Sequence, residues 1–192
     1  SLNLQDAKGA STPGLQESSH DIAVEDVDLD KADTSAYRAS AARCNFLGLD
    51  RPDIQYAAKE VSRYMSKPMQ SNIKSLKRLG RYLKESPRVV FKYKFQSEPS
   101  KIRIFSDTNW AGCIKTRKST QGGVVMLGQH CVKTWSSTQA IISLSSGEAE
   151  YYGVVKAASV GLGFKAMQAD MGSDLALEVL TAVSYTHLTL PT

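Results

Sequence analysis

An aspartate that ends one apolar run and two glutamates that open a helix-like one are the residues of this 192-residue chain whose types and spacing could do chemistry. Asp107 closes KIRIFSD and is followed by Thr108, Asn109, Trp110, Ala111 and Gly112. Taken alone, an acid at a strand end is a turn-former. Ser145-Ser146-Gly147-Glu148 fits the S-x-x-E capping box. There the serine accepts from an amide in the first turn and the glutamate reaches back to an orphan donor, so Ser145 and Glu148 have a sufficient structural task as a cap. Glu150 projects along the stripe Gly153, Val154, Ala157, Ala158 and Gly161, residues small enough to let a helix lie close to a sheet. Desolvating an unpaired carboxylate costs several kcal/mol, so Glu150 must be neutralised, sit at the rim of that face, or meet a cation. If the end of the first strand lies beside the start of this helix, Asp107 and Glu150 offer hard oxygen ligands to Mg²⁺, with a phosphate completing the shell. Two such ions about 4 Å apart activate water and stabilise the leaving oxygen of a phosphodiester.

That chemistry needs a sheet and a helix to carry it. KIRIFSD at 101–107, GGVVMLG at 122–128 and CVKTWSS at 131–137 read as strands, the last two joined by a short turn at Gly128 and Gln129, and so as an antiparallel meander. A long helix follows from about Ser146 to Met171, with Gly172 as its stop, and ALEVLT at 176–181 begins a fourth strand. Three paired strands, a helix and a returning strand describe the first half of an α/β layer fold. Upstream, the alternating VVFKYKF at 89–95 predicts a further strand.

Before it, AYRASAARCNFLGLD is helical in character and stops at Gly48; Asp53 then caps a second helix through about Ser66, where Pro68 interrupts. A third helix from about Ser71 to Glu85 sets Ile73, Leu76, Leu79 and Leu83 on one side. Lys74, Lys77, Arg78, Arg81 and Lys84 lie mostly elsewhere on its surface, either as a solvated basic face or as one that rides on a nucleic-acid backbone. Residues 1–34 mix Ser, Gly, Pro and acids without apolar periodicity and read as a flexible acidic linker, with order beginning near Tyr37.

Composition narrows the classes. A 42% hydrophobic content is enough for a real core. No stretch approaches the roughly 18 consecutive apolar residues of a membrane span, and the N-terminus lacks a signal-peptide pattern, so a soluble, intracellular chain with no membrane partner is expected. Cys44, Cys113 and Cys131 are scattered and without CxxC spacing, and His20, His130 and His187 show no ligand spacing, which points to reduced thiols and away from a His/Cys metal site. The net charge of +5 is segregated: residues 1–34 carry −6, residues 35–135 carry +14 and residues 136–192 carry −3. A basic middle of that size is the footprint of a polyanion partner, although basic solvated faces are also common.

The run FSDTNWAGCIKTRKSTQGGVVMLG, then VKTWSSTQAIISLSSGEAEYYGVVKA, resembles the ribonuclease H region of copia-type LTR retrotransposon Pol polyproteins. The pieces SD-x-x-WAG, TRKSTQG, WSS-x-Q and S-x-SS-x-EAEY stand in that family's order and approximate spacing. Upstream, YRASAARCNFLGLDRPDI, VSRYM-x-x-P and LKRLGRYLK look like the end of the same family's reverse transcriptase and its connection. The resemblance covers about residues 37–180. It implies a ribonuclease H-like fold from 98 to 182, preceded by a small helical thumb/connection segment at 35–97. It also implies a function, two-metal cleavage of the RNA strand of RNA–DNA hybrids by four acids and two Mg²⁺ ions. Asp107 matches the first acid, Glu150 the second, and Glu148 a neighbouring acid already assigned to capping. The third acid is expected directly after the fourth strand and the fourth on a later helix, but the chain there reads AVSYTHLTLPT. Residues 183–192 look like a translated sequencing adaptor and are set aside. Asp170 and Asp174, near the helix end and its loop, are not substitutes.

With two acids absent and no YxDD-like signature, the fragment is expected to bind Mg²⁺ weakly or not at all and to lack nuclease and polymerase activity alone. What remains is hybrid or duplex binding through Lys74, Lys77, Arg78, Arg81, Lys84 and the loop carrying Lys115, Arg117 and Lys118. The resemblance implies the rest of the Pol polyprotein as partner and the cytoplasmic virus-like particle and nucleus as location; oligomeric state stays open. Two other classes remain open, a non-catalytic nucleic-acid-binding module using only the basic surface and an integrase or transposase of related fold.

Overall fold

A computed structural model describes Leu2, residues 4–15 and residues 26–181. The segment 183–192, His20, His187 and the position just after the fourth strand lie outside the described residues. The chain divides into two compact units, Ser1–Phe91 and Lys92–Thr192.

The first unit is helical. Helix α1 (Lys31–Leu47) begins six residues before the Tyr37 at which the sequence set the onset of order, after an Asp30 cap whose side chain accepts from the Asp33 amide, and stops at Gly48 as expected. A 3-10 turn (Pro52–Ile54) leads into α2 (Gln55–Arg63), and α3 spans Gln70–Glu85. Asp53 is not the cap of α2. It sits inside the 3-10 turn, where its two oxygens accept from Arg51 Nε and Nη2 at 2.9 and 2.7 Å and from the Tyr82 hydroxyl at 2.9 Å. Leu76 and Leu79 of α3 are buried with Tyr37, Ala41, Ile54 and Val61, and Ile73 and Leu83 pack at their edge, which is the apolar side the 3.6-residue period laid out.

The acidic N-terminal stretch is tied down in its described parts. The Asp26 carboxylate caps α3, accepting from the Ser71 amide at 3.0 Å and from its hydroxyl, and Asp28 forms an isolated bridge with Met69. Buried Tyr37 donates its hydroxyl to the Val61 carbonyl at 2.7 Å, and its pKa is pushed far above that of an ordinary phenol by burial and then by Cys44.

The second unit is a four-stranded mixed sheet in the order β3-β2-β1-β4, with one long helix. Strands β1 (Lys101–Asn109), β2 (Thr120–Leu127) and β3 (His130–Thr138) form the expected antiparallel meander, with Gly128 at φ 61 in the turn. Helix α4 (Ser146–Asp170) then returns the chain so that β4 (Ala176–Thr181) pairs parallel to β1.

The even-numbered side chains of β1 face α4, with Ile102, Ile104 and Ser106 buried. Gly153 and Gly161 permit the close approach, since a Cβ on Gly161 would stand 2.6 Å from both Ile104 Cδ1 and Leu177 Cδ1. The chain therefore folds as mixed α/β. Segment 89–95 forms no strand: Val90, Tyr93 and Phe95 stay exposed, so its alternation has no core to face. Side chains anchor it instead, with Tyr93 donating to the Cys131 carbonyl and His130 Nε2 lying 2.7 Å from the Lys94 carbonyl. Among the described residues no helix is long and apolar enough to cross a membrane, and none of the three cysteines is in a disulfide.

Candidate active site

Because β1 and β4 are parallel neighbours and Ser106 stands opposite Thr181, β4 ends beside the last few residues of β1. Asp107 follows Ser106 at that end. The first turn of α4 arrives there too: Glu150, half-buried at the border of the packed face, accepts from Thr181 Oγ1 at 3.1 Å. Of the three ways to accommodate its carboxylate, the molecule uses the rim. Asp107 is exposed, and its Oδ1 accepts from the Thr108 amide at 2.9 Å. Strand alternation turns it with Phe105 to the face away from α4. Asp107 and Glu150 thus share an end of the sheet but leave it from different faces.

Hard carboxylate oxygens suit Mg²⁺, yet among the described residues no group of three or more His, Cys, Asp or Glu is arranged to hold a metal ion. The described residues do not fit a complete two-ion centre. Asp170 is the last residue of α4, at the far end from Glu150, and Asp174 pairs with Lys165 at 3.7 Å.

The cap is formed: Ser145 Oγ accepts from the Glu148 amide at 3.1 Å, while Glu148 Oε2 accepts from the Leu144 amide at 2.7 Å, one residue beyond the usual box partner. Around it lies a polar hub that the sequence reading missed. Gln139, 4% exposed, donates from Nε2 to the Ala149 carbonyl at 2.8 Å and to Gln121 Oε1 at 3.4 Å, and its Oε1 accepts from Ser143 Oγ. Its amide donates to the carbonyl of Ser119, whose hydroxyl accepts from the Ala111 amide. Trp110 Nε1 donates to the Ser143 carbonyl at 3.0 Å. One buried glutamine thereby fastens the start of α4 to the ends of β2 and β3. Its position in WSS-x-Q was the available signal.

Of the expected cations, Lys115 and Arg117 are exposed on a loop closed by bonds from the Cys113 amide to the Lys118 carbonyl and from the Arg117 amide to the Cys113 carbonyl. Arg117 holds φ 55 there, a left-handed conformation rare for its type. In the other unit, Lys74 and Lys77 are exposed on α3. Their neighbours bond to the chain itself: Arg78 Nη2 donates to Thr12 Oγ1 at 2.6 Å and Arg81 Nε to the Lys8 carbonyl at 2.6 Å. Lys84 Nζ donates to the carbonyls of Leu4, Gln5 and Ala7 at 3.3, 2.5 and 3.1 Å.

Comparison with known proteins fixes the class. The chain is 34% identical over 127 residues to the Retrovirus-related Pol polyprotein from transposon RE1 of Arabidopsis thaliana, a match covering 66% of this chain and 9% of that protein. Against the RE2 polyprotein of the same plant it is 34% identical over 128 residues, again 66% of this chain and 9% of the relative. It is also 36% identical over 121 residues, 62% of this chain, to the Uncharacterized mitochondrial protein AtMg00810 of Arabidopsis thaliana, of which the match spans 49%. The chain belongs to the retrotransposon Pol polyprotein family. It spans about half or less of the length of these relatives. No protein-family model matches it, and no solved structure does.

Proposed function

We propose that this Pol segment derives from an RNA-directed DNA polymerase with ribonuclease H, residues 35–97 from the thumb and connection and residues 98–182 from the first half of a ribonuclease H-like domain of the copia type. The observation that carries this reading is the strand order β3-β2-β1-β4 with β4 parallel to β1, which brings the first turn of α4 and Glu150 to the end of β1 that bears Asp107. Asp107 and Glu150 leave the shared sheet end from different faces, so in this reading they meet only in the intact enzyme, at the two-Mg²⁺ centre that cleaves the RNA strand of an RNA–DNA hybrid. The described residues supply an incomplete donor set, so this chain binds hybrid without turning it over.

Extension past Thr181 with the element's own downstream sequence is the decisive test. The extended chain cleaves the RNA strand of a labelled hybrid in Mg²⁺, and Asp107→Asn or Glu150→Gln abolishes cleavage. Cleavage that survives both substitutions sinks the assignment.

A binding-only module is the second reading, favoured because Glu148 already serves the α4 cap and Glu150 already bonds to Thr181. Either way the loop carrying Lys115, Arg117 and Lys118 contacts phosphate, and replacing all three by Ala lowers the slope of log affinity against log salt by up to about 2.7. An unchanged slope, or binding indifferent to salt, rules the loop out.

A further inference from the structure

Three of the five α3 cations expected to meet phosphate are engaged by the N-terminal segment of the same unit. Lys84, Arg81 and Arg78 all donate to residues 4–12, and every acceptor is a backbone carbonyl or the Thr12 hydroxyl. Neutral acceptors solvate these cations without cancelling their charge, so the face stays electrostatically unbalanced beneath its cover. One donor is left over: Arg78 Nε is buried with no hydrogen-bond partner. A phosphate, with two oxygens set for the guanidinium fork, satisfies Nε and Nη2 together, which the single Thr12 hydroxyl does not. Apolar contact holds the segment down, with Leu2 against the helical core and Leu4 over Gly80, where an added Cβ would stand 2.5 Å from Leu4 Cδ1.

We propose that residues 4–12 are a displaceable strap over the basic face of α3, an intramolecular competitor that a nucleic-acid backbone must lift before Arg78, Arg81 and Lys84 can meet phosphate. This rests on the nucleic-acid-binding reading given above. The strap explains why a segment without apolar periodicity is bound at all, since backbone carbonyls are available to any sequence.

A reversible lock tests it. A Cβ on Gly9 would stand 3.0 Å from Glu85 Cβ, so an outward shift of the strap by about 0.5–1 Å reaches the separation a disulfide spans, and Gly9→Cys with Glu85→Cys, in a Cys131→Ser background, staples the strap to α3 when oxidised with diamide. Binding of a fluorescent RNA–DNA hybrid is read by anisotropy at low salt. The reduced protein binds about tenfold more tightly than the oxidised one and shows a steeper salt dependence, by up to about 2.7 in log–log slope for three further phosphate contacts. Equal affinity of the two forms overturns the strap while leaving nucleic-acid binding intact; no binding by either overturns both. As a second variant, the chain lacking residues 1–14, checked for helix content by circular dichroism, binds hybrid more tightly than the whole chain. An unchanged or weaker affinity of that folded variant also overturns the proposal.

Discussion

In the helical unit charged side chains do the internal fastening: buried Arg51 clamps half-buried Asp53, half-buried Arg78 and Arg81 hold the N-terminal segment, and exposed Lys84 joins them. In the sheet unit the buried polar side chains are the neutral Ser106, Ser119, Gln139 and Ser143, while Lys115 and Arg117 stay on an exposed loop. The same basic middle of the sequence is therefore put to two uses, as internal fastening in one unit and on an exposed loop in the other. Charge counted along a chain cannot separate these, because a guanidinium bonded to a carbonyl and one in water contribute equally to the sum. The two units should answer differently to pH, and their cores can be probed separately.

The largest effects come from the cores. Leu79→Ala in the helical unit and Ile104→Ala in the sheet unit each remove a fully buried aliphatic side chain, and each costs about 2–5 kcal/mol. Both tryptophans, Trp110 and Trp135, lie in the sheet unit, so urea unfolding followed by tryptophan fluorescence reports Ile104→Ala directly. Loss of helical ellipticity at 222 nm reports Leu79→Ala. A cost below about 1 kcal/mol at either position contradicts the packing described for it.

Much of this architecture was legible because local periodicity and burial agree. The apolar side of α3, the β1-β2-β3 meander, the small-residue stripe of α4 and the Ser145 cap all follow from spacing and are all formed. Asp53 and residues 89–95 were misread for one reason: the pattern was genuine but its partner was not local. Asp53 has the chemistry of a cap and found Arg51 and Tyr82; VVFKYKF alternates without a core on either side. At the candidate site, the parity of KIRIFSD already separates Asp107 from Ile102 and Ile104. Which face α4 would cover depends on the parallel pairing of β4, and no local signal encodes that. Gln139 stood inside a quoted motif, but its role exists only once three loops meet.

The contrast in polar chemistry gives the next pair of predictions. The Arg51 side chain, through its hydrogen bonds, holds the Asp53 carboxyl below the usual carboxylate range, burial opposes the shift, and the Tyr82 hydroxyl assists it. A depressed folded value means the contribution is fully present above the unfolded value, about pH 4, and is lost as the pH falls through the folded one. Asp53→Asn lowers stability at neutral pH by about 2 kcal/mol and flattens the acid limb of a stability profile measured by urea titration at stepped pH. Gln139→Ala leaves the Ala149 carbonyl and Ser143 hydroxyl without this partner and costs about 1–2 kcal/mol, with no change in the shape of that profile because no titrating group is removed. A Gln139→Ala cost that varies with pH would show the hub to be coupled to a charge.

The smallest effect isolates the cap from the site. Ser145→Ala removes one acceptor from the first turn of α4 and costs about 1 kcal/mol, whereas Ser145→Asp retains an acceptor and adds a negative charge at the positive end of the helix dipole. That charge enters close to Glu148, whose Oε2 already accepts from the Leu144 amide, so part of the dipole gain is cancelled. Ser145→Asp should therefore lie within about 0.5 kcal/mol of the parent at low salt and move closer to it as salt screens both terms. The measurement is the urea midpoint at two ionic strengths. If Ser145→Asp is instead as destabilising as Ser145→Ala, repulsion from Glu148 exceeds the benefit of the cap, and the first turn of α4 already holds as much negative charge as it tolerates.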